Sequence, residues 1–352
     1  MGSKSKTKSH AALLQTASCA ALLAAPLSAA FADTPSVSVG AGVRTSFTDF
    51  SYDNNALADV DDFELNSARI YISGKVTDYL SLMFNTEYTA SDEQVNVIDA
   101  AAQFSFDPKL NIWAGRFLAP SDRANLYGPY YANHWGVYQD GVQDGYPSET
   151  TGRSDGVMYW GQFGITKVSF GAFDIKNLTK GSSDVMWAGR VQFDFWDKED
   201  GYYLNGTYYG DKDLLALGAA AETVGSDKAY NVDFLLEKKL GNSGVLSIES
   251  EYAKYDGLGG YSAAAPNSDG WYLLGGYMFP QPVGVGKFQI LGKYGETTYE
   301  FAGPDDKQKT TEIDLNFIMK QFNARVSVFF IDQSYDIASG VKQFGVGLQV
   351  QI

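Results

Sequence analysis

Charged side chains recur at every second position along much of this chain. Arg69, Lys75, Lys167, Arg190, Lys287, Lys293 and Arg325 alternate with apolar neighbours, and so do Glu87, Asp99, Asp194, Asp233, Glu249, Glu251, Glu312 and Asp314. Arg116 joins them if Trp113 and Phe117 take the opposite face. Charges repeated on one face of successive strands line a wetted surface, and their chemistry is electrostatic filtering of solutes. Bond-making chemistry has little material. There is one Cys, Cys19, and there are two His, His10 and His134. A nucleophile needs an adjacent base, and His134 has no Ser in an obvious partnering position. The chain shows no Gly-rich phosphate loop, no haem-attachment motif and no Cys/His metal spacing. Glu249 and Glu251 would share a strand face, as glycosidase acids do, but a lumen lining explains them with fewer assumptions. No catalytic residue, metal or cofactor is therefore assigned.

Before any of these residues can act, something must carry them in register. The 352 residues include 27 Lys+Arg and 42 Asp+Glu, a net charge of −15. That balance argues against nucleic acid, whose phosphates need a basic surface. Residues 1–32 read as a secretory signal: Lys4, Lys6 and Lys8, an apolar stretch from Ala11 to Leu27, then Ala30-Phe31-Ala32 as a cleavage site. Removing them leaves residues 33–352 as a single domain without Cys, with a net charge of −18. An exported protein without Cys suits an oxidising compartment.

After residue 32 the pattern has period two. Ala324-Val326-Val328-Phe330, Ile313-Leu315-Phe317 and Phe344-Val346-Leu348-Val350-Ile352 each alternate with polar or small residues. Strands are expected at 36–50, 63–76, 79–91, 95–107, 109–118, 155–163, 165–175, 184–196, 212–223, 229–240, 243–256, 270–280, 286–298, 309–320, 322–334 and 342–352. The connections are short, then long, by turns. This is the rhythm of a transmembrane antiparallel β-barrel, with tight periplasmic turns and longer external loops. Both termini at one end require an even count, so 197–211 is taken as a long periplasmic turn, giving sixteen strands, with eighteen as the fallback. A soluble sandwich has the same alternation. Strand length near ten residues favours the membrane. So do aromatics near strand ends: Trp113 and Phe117, Tyr159 and Phe163, Phe193, Phe195 and Trp196, Tyr277 and Phe279.

The connection 119–154 is the longest and is rich in Tyr, Gly and Trp. A tract of this length and composition is expected to fold inward as a constriction loop, led by Tyr127, Tyr130, Tyr131, His134 and Trp135. It brings Asp122, Arg123, Asp140, Asp144 and Glu149. Arg69, Arg116 and Arg190 on one wall, facing loop carboxylates, would set a transverse field; scattered solvated charge is the equal alternative. The run Asp59-Val60-Asp61-Asp62 suits a solvated loop, or cations bridging lipopolysaccharide.

Several segments resemble the phosphate- and polyphosphate-selective porin superfamily of Gram-negative outer membranes. They are Asn66-Ser67-Ala68-Arg69-Ile70-Tyr71-Ile72-Ser73-Gly74, Phe84-Asn85-Thr86-Glu87-Tyr88, Ile112-Trp113-Ala114-Gly115-Arg116-Phe117-Leu118-Ala119-Pro120 and Arg153-Ser154-Asp155-Gly156-Val157. The resemblance implies a sixteen-stranded homotrimeric channel with a loop in the pore, selective for anions. This chain departs from that pattern in its acidic balance and in ending at Ile352 rather than an aromatic residue. The reading is an outer-membrane porin for passive diffusion of small hydrophilic solutes or ions, in contact with outer-membrane lipid and lipopolysaccharide. A substrate-specific channel for sugars or aromatic acids, and a sheath around an electron-transfer partner, stay open beside it.

Overall fold

The computed structural model describes residues 36–53, 58–89, 93–143, 152–175, 185–259 and 265–352. The signal segment 1–32, Asp144 and Glu149 lie outside these residues. The first eight strands are β1 (Ser36–Tyr52), β2 (Val60–Lys75), β3 (Leu80–Thr89), β4 (Gln94–Asp107), β5 (Leu110–Leu118), β6 (Arg153–Phe163), β7 (Thr166–Phe173) and β8 (Met186–Asp194). The second eight are β9 (Leu214–Val224), β10 (Asp227–Lys239), β11 (Val245–Asp256), β12 (Asn267–Met278), β13 (Lys287–Glu300), β14 (Asp306–Lys320), β15 (Ala324–Tyr335) and β16 (Val341–Gln351). All pair antiparallel with their sequence neighbours, and β1 closes on β16 with Gly42 opposite Gln351. Closure removes every free sheet edge. Each expected strand corresponds to one observed strand, and none forms in 197–211.

Alternation decides the faces. Large apolar side chains point outward and stay exposed, among them Phe170 at 54%, Leu273 at 51% and Phe344 at 56%. In water such a surface would be an aggregation liability, whereas in lipid it is the solvated face. Aromatic pairs gather outside at the end that carries both termini: Tyr79 stacks on Phe106, Tyr277 meets Phe279 and Phe288 meets Phe317. Among the described residues no helix is long and apolar enough to cross a membrane.

The expected face assignment fails on β5. Trp113 and Phe117 point inward, and Arg116 shares the outward face with Ile112, paired to Asp155 at 2.7 Å. The cause is tertiary. Tyr202 and Tyr203, from the connection between β8 and β9, pack on Trp113 at 5.1 and 5.7 Å and give it an apolar neighbour inside. Lys75 also leaves the lumen set, because it sits at the turn with Asp78 at 2.8 Å, half exposed.

Candidate functional site

Two connections enter the barrel. The first follows β5. Asp122 caps a helical turn, α1 (Arg123–Tyr131), by accepting from the Asn125 N–H at 2.7 Å. Gly128, at φ +62°, kinks the helix before Pro129, and a side chain there would be strained. Residues 132–143 then cross to the far wall. The second connection, 195–213, rises from the opposite end, so the turn between β8 and β9 is an insert rather than a solvated loop. Glu199, Tyr202, Leu204 and Thr207 in it are all buried.

The far wall grips the first insert through its backbone. Arg325 donates to the Ala132 and Asn133 carbonyls at 2.8 and 3.1 Å, and Arg44 to the Trp135 carbonyl at 3.0 Å. On β14, Asp314 accepts from the Trp135 N–H at 2.8 Å and Glu312 from the Gly136 N–H at 2.6 Å. The Trp135 ring stacks on Phe329 at 5.4 Å with 9° between planes, and the Arg44 guanidinium lies 4.2 Å from its centre. Gly347 makes room, since a Cβ there would run into the indole. Lys293 pairs with Asp140 at 2.5 Å, lies 3.1 Å from His134 Nε2 and sits over the Tyr272 ring. Tyr127 donates to Glu249 at 2.8 Å, Tyr130 exchanges hydrogen bonds with Ser67, and Tyr131 packs on Phe322.

Inside the barrel the two inserts lock together. Arg123 grips Glu199 with both Nη atoms, at 2.9 and 2.5 Å, and neither side chain is exposed. Arg123 also donates to the Asn205 carbonyl at 3.1 Å and lies 3.5 Å from Asp233. Leu204 N–H and Gly206 N–H reach the carbonyls of Leu126 and Tyr131 at 3.3 and 2.9 Å. Arg190 holds both oxygens of Asp233 and donates to the Ser121 carbonyl. Burial alone would raise the Glu199 carboxyl, but Arg123 overrides it and holds the group at about 2.

The remaining predicted residues spread around the wall. Arg69 pairs with Glu87 at 2.7 Å, and Asp99 meets Asn85 at 2.9 Å and Arg153 at 3.5 Å. Lys167 is buried near Arg190 and Tyr202. Arg69 and Arg190 stand on β2 and β8 and share no wall. The arginines that do gather are Arg325, Arg44 and Arg69, on β15, β1 and β2, and carbonyls rather than loop carboxylates face the first two. Arg44 and Glu199 were missed. The alternation of Val43, Thr45 and Phe47 outside would have revealed Arg44, whereas Glu199 lies in a charged stretch without period.

Together the inserts fill much of the lumen. One inward residue can be taken from each strand in order: Arg44, Arg69, Glu87, Asp99, Trp113, Met158, Ser169, Arg190, Ala220, Asp233, Glu249, Tyr272, Lys293, Glu312, Arg325 and Gln349. The most exposed of these is Ser169, at 8%. The lining is polar, as a wet lumen requires, yet it is packed against protein. Clefts of about 360 Å³ beside Tyr209 and Met278 and about 220 Å³ beside Tyr138 and Tyr299 lie at the two ends.

His134 makes the seat pH-sensitive. Burial, then the charges of Lys293, Arg325 and Arg44, hold its imidazole well below 6.5. Below about pH 6.5 the unfolded chain therefore takes up a proton that the folded one refuses, and stability falls with pH. Unfolding followed between neutral and mildly acidic pH is expected to show this decline, and His134→Gln to remove it. An identical slope in the variant would refute the assignment.

No protein-family model and no curated protein matches the sequence. Solved structures do match the fold. The anion-selective porin from Comamonas acidovorans aligns with a TM-score of 0.61 at 13% identity, over 91% of this chain and 100% of that one. OmpF of Salmonella typhi, in complex with daunomycin, gives 0.59 at 12%, over 90% and 97%. In-vitro folded OmpT of Vibrio cholerae, in its trimer form, gives 0.54 at 13%, over 91% and 100%. The shared feature is the closed sixteen-strand antiparallel barrel.

Proposed function

We propose that this chain is a channel of the bacterial outer membrane for small hydrophilic solutes or ions, resting nearly shut, exported by the segment 1–32. One observation carries the reading: a closed sixteen-strand barrel turns its apolar residues out and its charges in, and two inserts meet across its lumen. Such a barrel is otherwise wide enough for an aqueous path, so the inserts set the gauge. The porin-like fold of the solved structures supports the reading, as does the resemblance of the four sequence segments to phosphate- and polyphosphate-selective porins. Anion selectivity has less support, because Arg44, Arg69 and Arg325 are each engaged by a carbonyl or carboxylate. A sheath would need the room that the inserts occupy. The loop tyrosines are engaged internally, which weakens a dedicated aromatic or sugar site. The proposal assigns no catalysis; His134 meets Lys293 rather than a hydroxyl.

A homotrimer in lipid and lipopolysaccharide belongs to the same proposal. The outward Arg116–Asp155 pair supports an assembled wall, since a lipid-facing Arg at mid-depth costs roughly 2–4 kcal/mol. Planar-bilayer recording tests the function. Stepwise but small conductance is expected from protein that shows heat-modifiable migration. Silence from such protein, and from variants with loosened inserts, would overturn it.

A further inference from the structure

We infer that the β9–β11 side of the constriction is a resting site for a small monovalent cation, with Glu251 as its main ligand. The inference rests on the channel reading and gives it a sign. The buried charged side chains of these three strands are Glu222, Asp233, Glu237, Glu249 and Glu251, all acidic, and Lys239 shares their parity only at the exposed end of β10. Four of the five are engaged. Glu222 meets the Ser121 hydroxyl. Asp233 is held by Arg190. Glu237 accepts from Thr207 and from the N–H groups of Tyr208 and Gly210. One oxygen of Glu249 accepts from Tyr127 and Tyr272.

What is left over has a single chemical character. Both oxygens of Glu251, the second oxygen of Glu249 and the Asn231 amide oxygen are buried without a hydrogen-bond partner in the protein. Glu251 is 2% exposed and stands opposite Asp233 in the β10–β11 register. A buried carboxylate is costly unless a cation or donors compensate it. On these strands every unpartnered side-chain atom is an acceptor, and none is a donor. An anion would find nothing to bind there.

The ligand set also limits the cation. Among the described residues no three His, Cys, Asp or Glu side chains converge as a metal site. A chelated divalent ion is therefore disfavoured. One carboxylate with amide and second-carboxylate oxygens nearby suits an ion held loosely, and conduction requires binding weak enough to release.

The test is the reversal potential of the full chain in a planar bilayer under a potassium chloride gradient, for the wild type and Glu251→Gln. The variant keeps shape and loses no hydrogen bond. Potassium is expected to permeate ahead of chloride, and the variant to lower that preference by about threefold or more. An anion-selective wild type, or an unchanged ratio in Glu251→Gln, would overturn the site, the second outcome meaning that Glu251 is simply protonated. If folded protein conducts nothing, the channel reading fails separately. Thallium(I) NMR of the detergent-solubilised chain then decides the site: line broadening lost in Glu251→Gln supports it, and equal spectra reject it.

Discussion

Replacing Glu199 by Gln is expected to unseat the 195–213 insert and open the barrel. The Arg123–Glu199 pair is bidentate, fully buried and the main charged link between the two inserts. Removing one partner of such a pair costs about 3–5 kcal/mol, because the other charge stays buried. In Glu199→Gln, Arg123 would keep one amide oxygen in place of the bidentate carboxylate, with Asp233 at 3.5 Å as its nearest remaining negative charge and the Asn205 carbonyl. Single-channel conductance should rise several-fold, and 195–213 should become open to protease. Exchanging both partners together, Arg123→Met with Glu199→Leu, should restore part of the closed state, since neither member of the pair is left as a lone buried charge. Acid should act like the single exchange. The carboxyl sits at about 2 rather than the ordinary 4.5, so its contribution is complete above about pH 4.5 and disappears as pH falls through about 2. Wild-type conductance and protease resistance in Glu199→Gln would remove the interlock from the account.

Trp135→Ala should have a comparable effect from the other insert. The substitution deletes the stack on Phe329 and the Arg44 contact. Emptying a packed Trp site costs about 3–5 kcal/mol, enough to loosen the seat of residues 132–140 although their backbone hydrogen bonds to Arg325, Arg44, Glu312 and Asp314 remain. Gly347→Val provides the control: it leaves Trp135 intact but fills the space the indole occupies. Both variants should raise conductance and keep heat-modifiable migration, because no strand pairing is touched. A closed Gly347→Val channel beside an open Trp135→Ala one would mean that the seat accommodates the ring elsewhere.

The strands of this protein and, outside β5, most of their faces were legible in the sequence. Ile313-Leu315-Phe317 and Phe344-Val346-Leu348 declare their faces locally, because side-chain direction in a strand depends only on parity. The even count, which excluded 197–211 from the strands, followed from closure. The composition of 119–154 also pointed inward. What fills the lumen was not legible. Trp113 reads as a lipid-facing aromatic until Tyr202 and Tyr203 supply an internal neighbour, and Arg116 then turns outward to Asp155. Glu199 reads as a solvated charge until Arg123 reaches it from 76 residues away in sequence. Arg69, Arg116 and Arg190 read as the partners of loop carboxylates, yet the arginines that hold the 119–154 loop to the far wall are Arg325 and Arg44, and they meet carbonyls, which every sequence possesses. Periodicity is a property of one strand and survives in the sequence. Pairing across a lumen depends on how aperiodic inserts are threaded, and only the closed barrel fixes that.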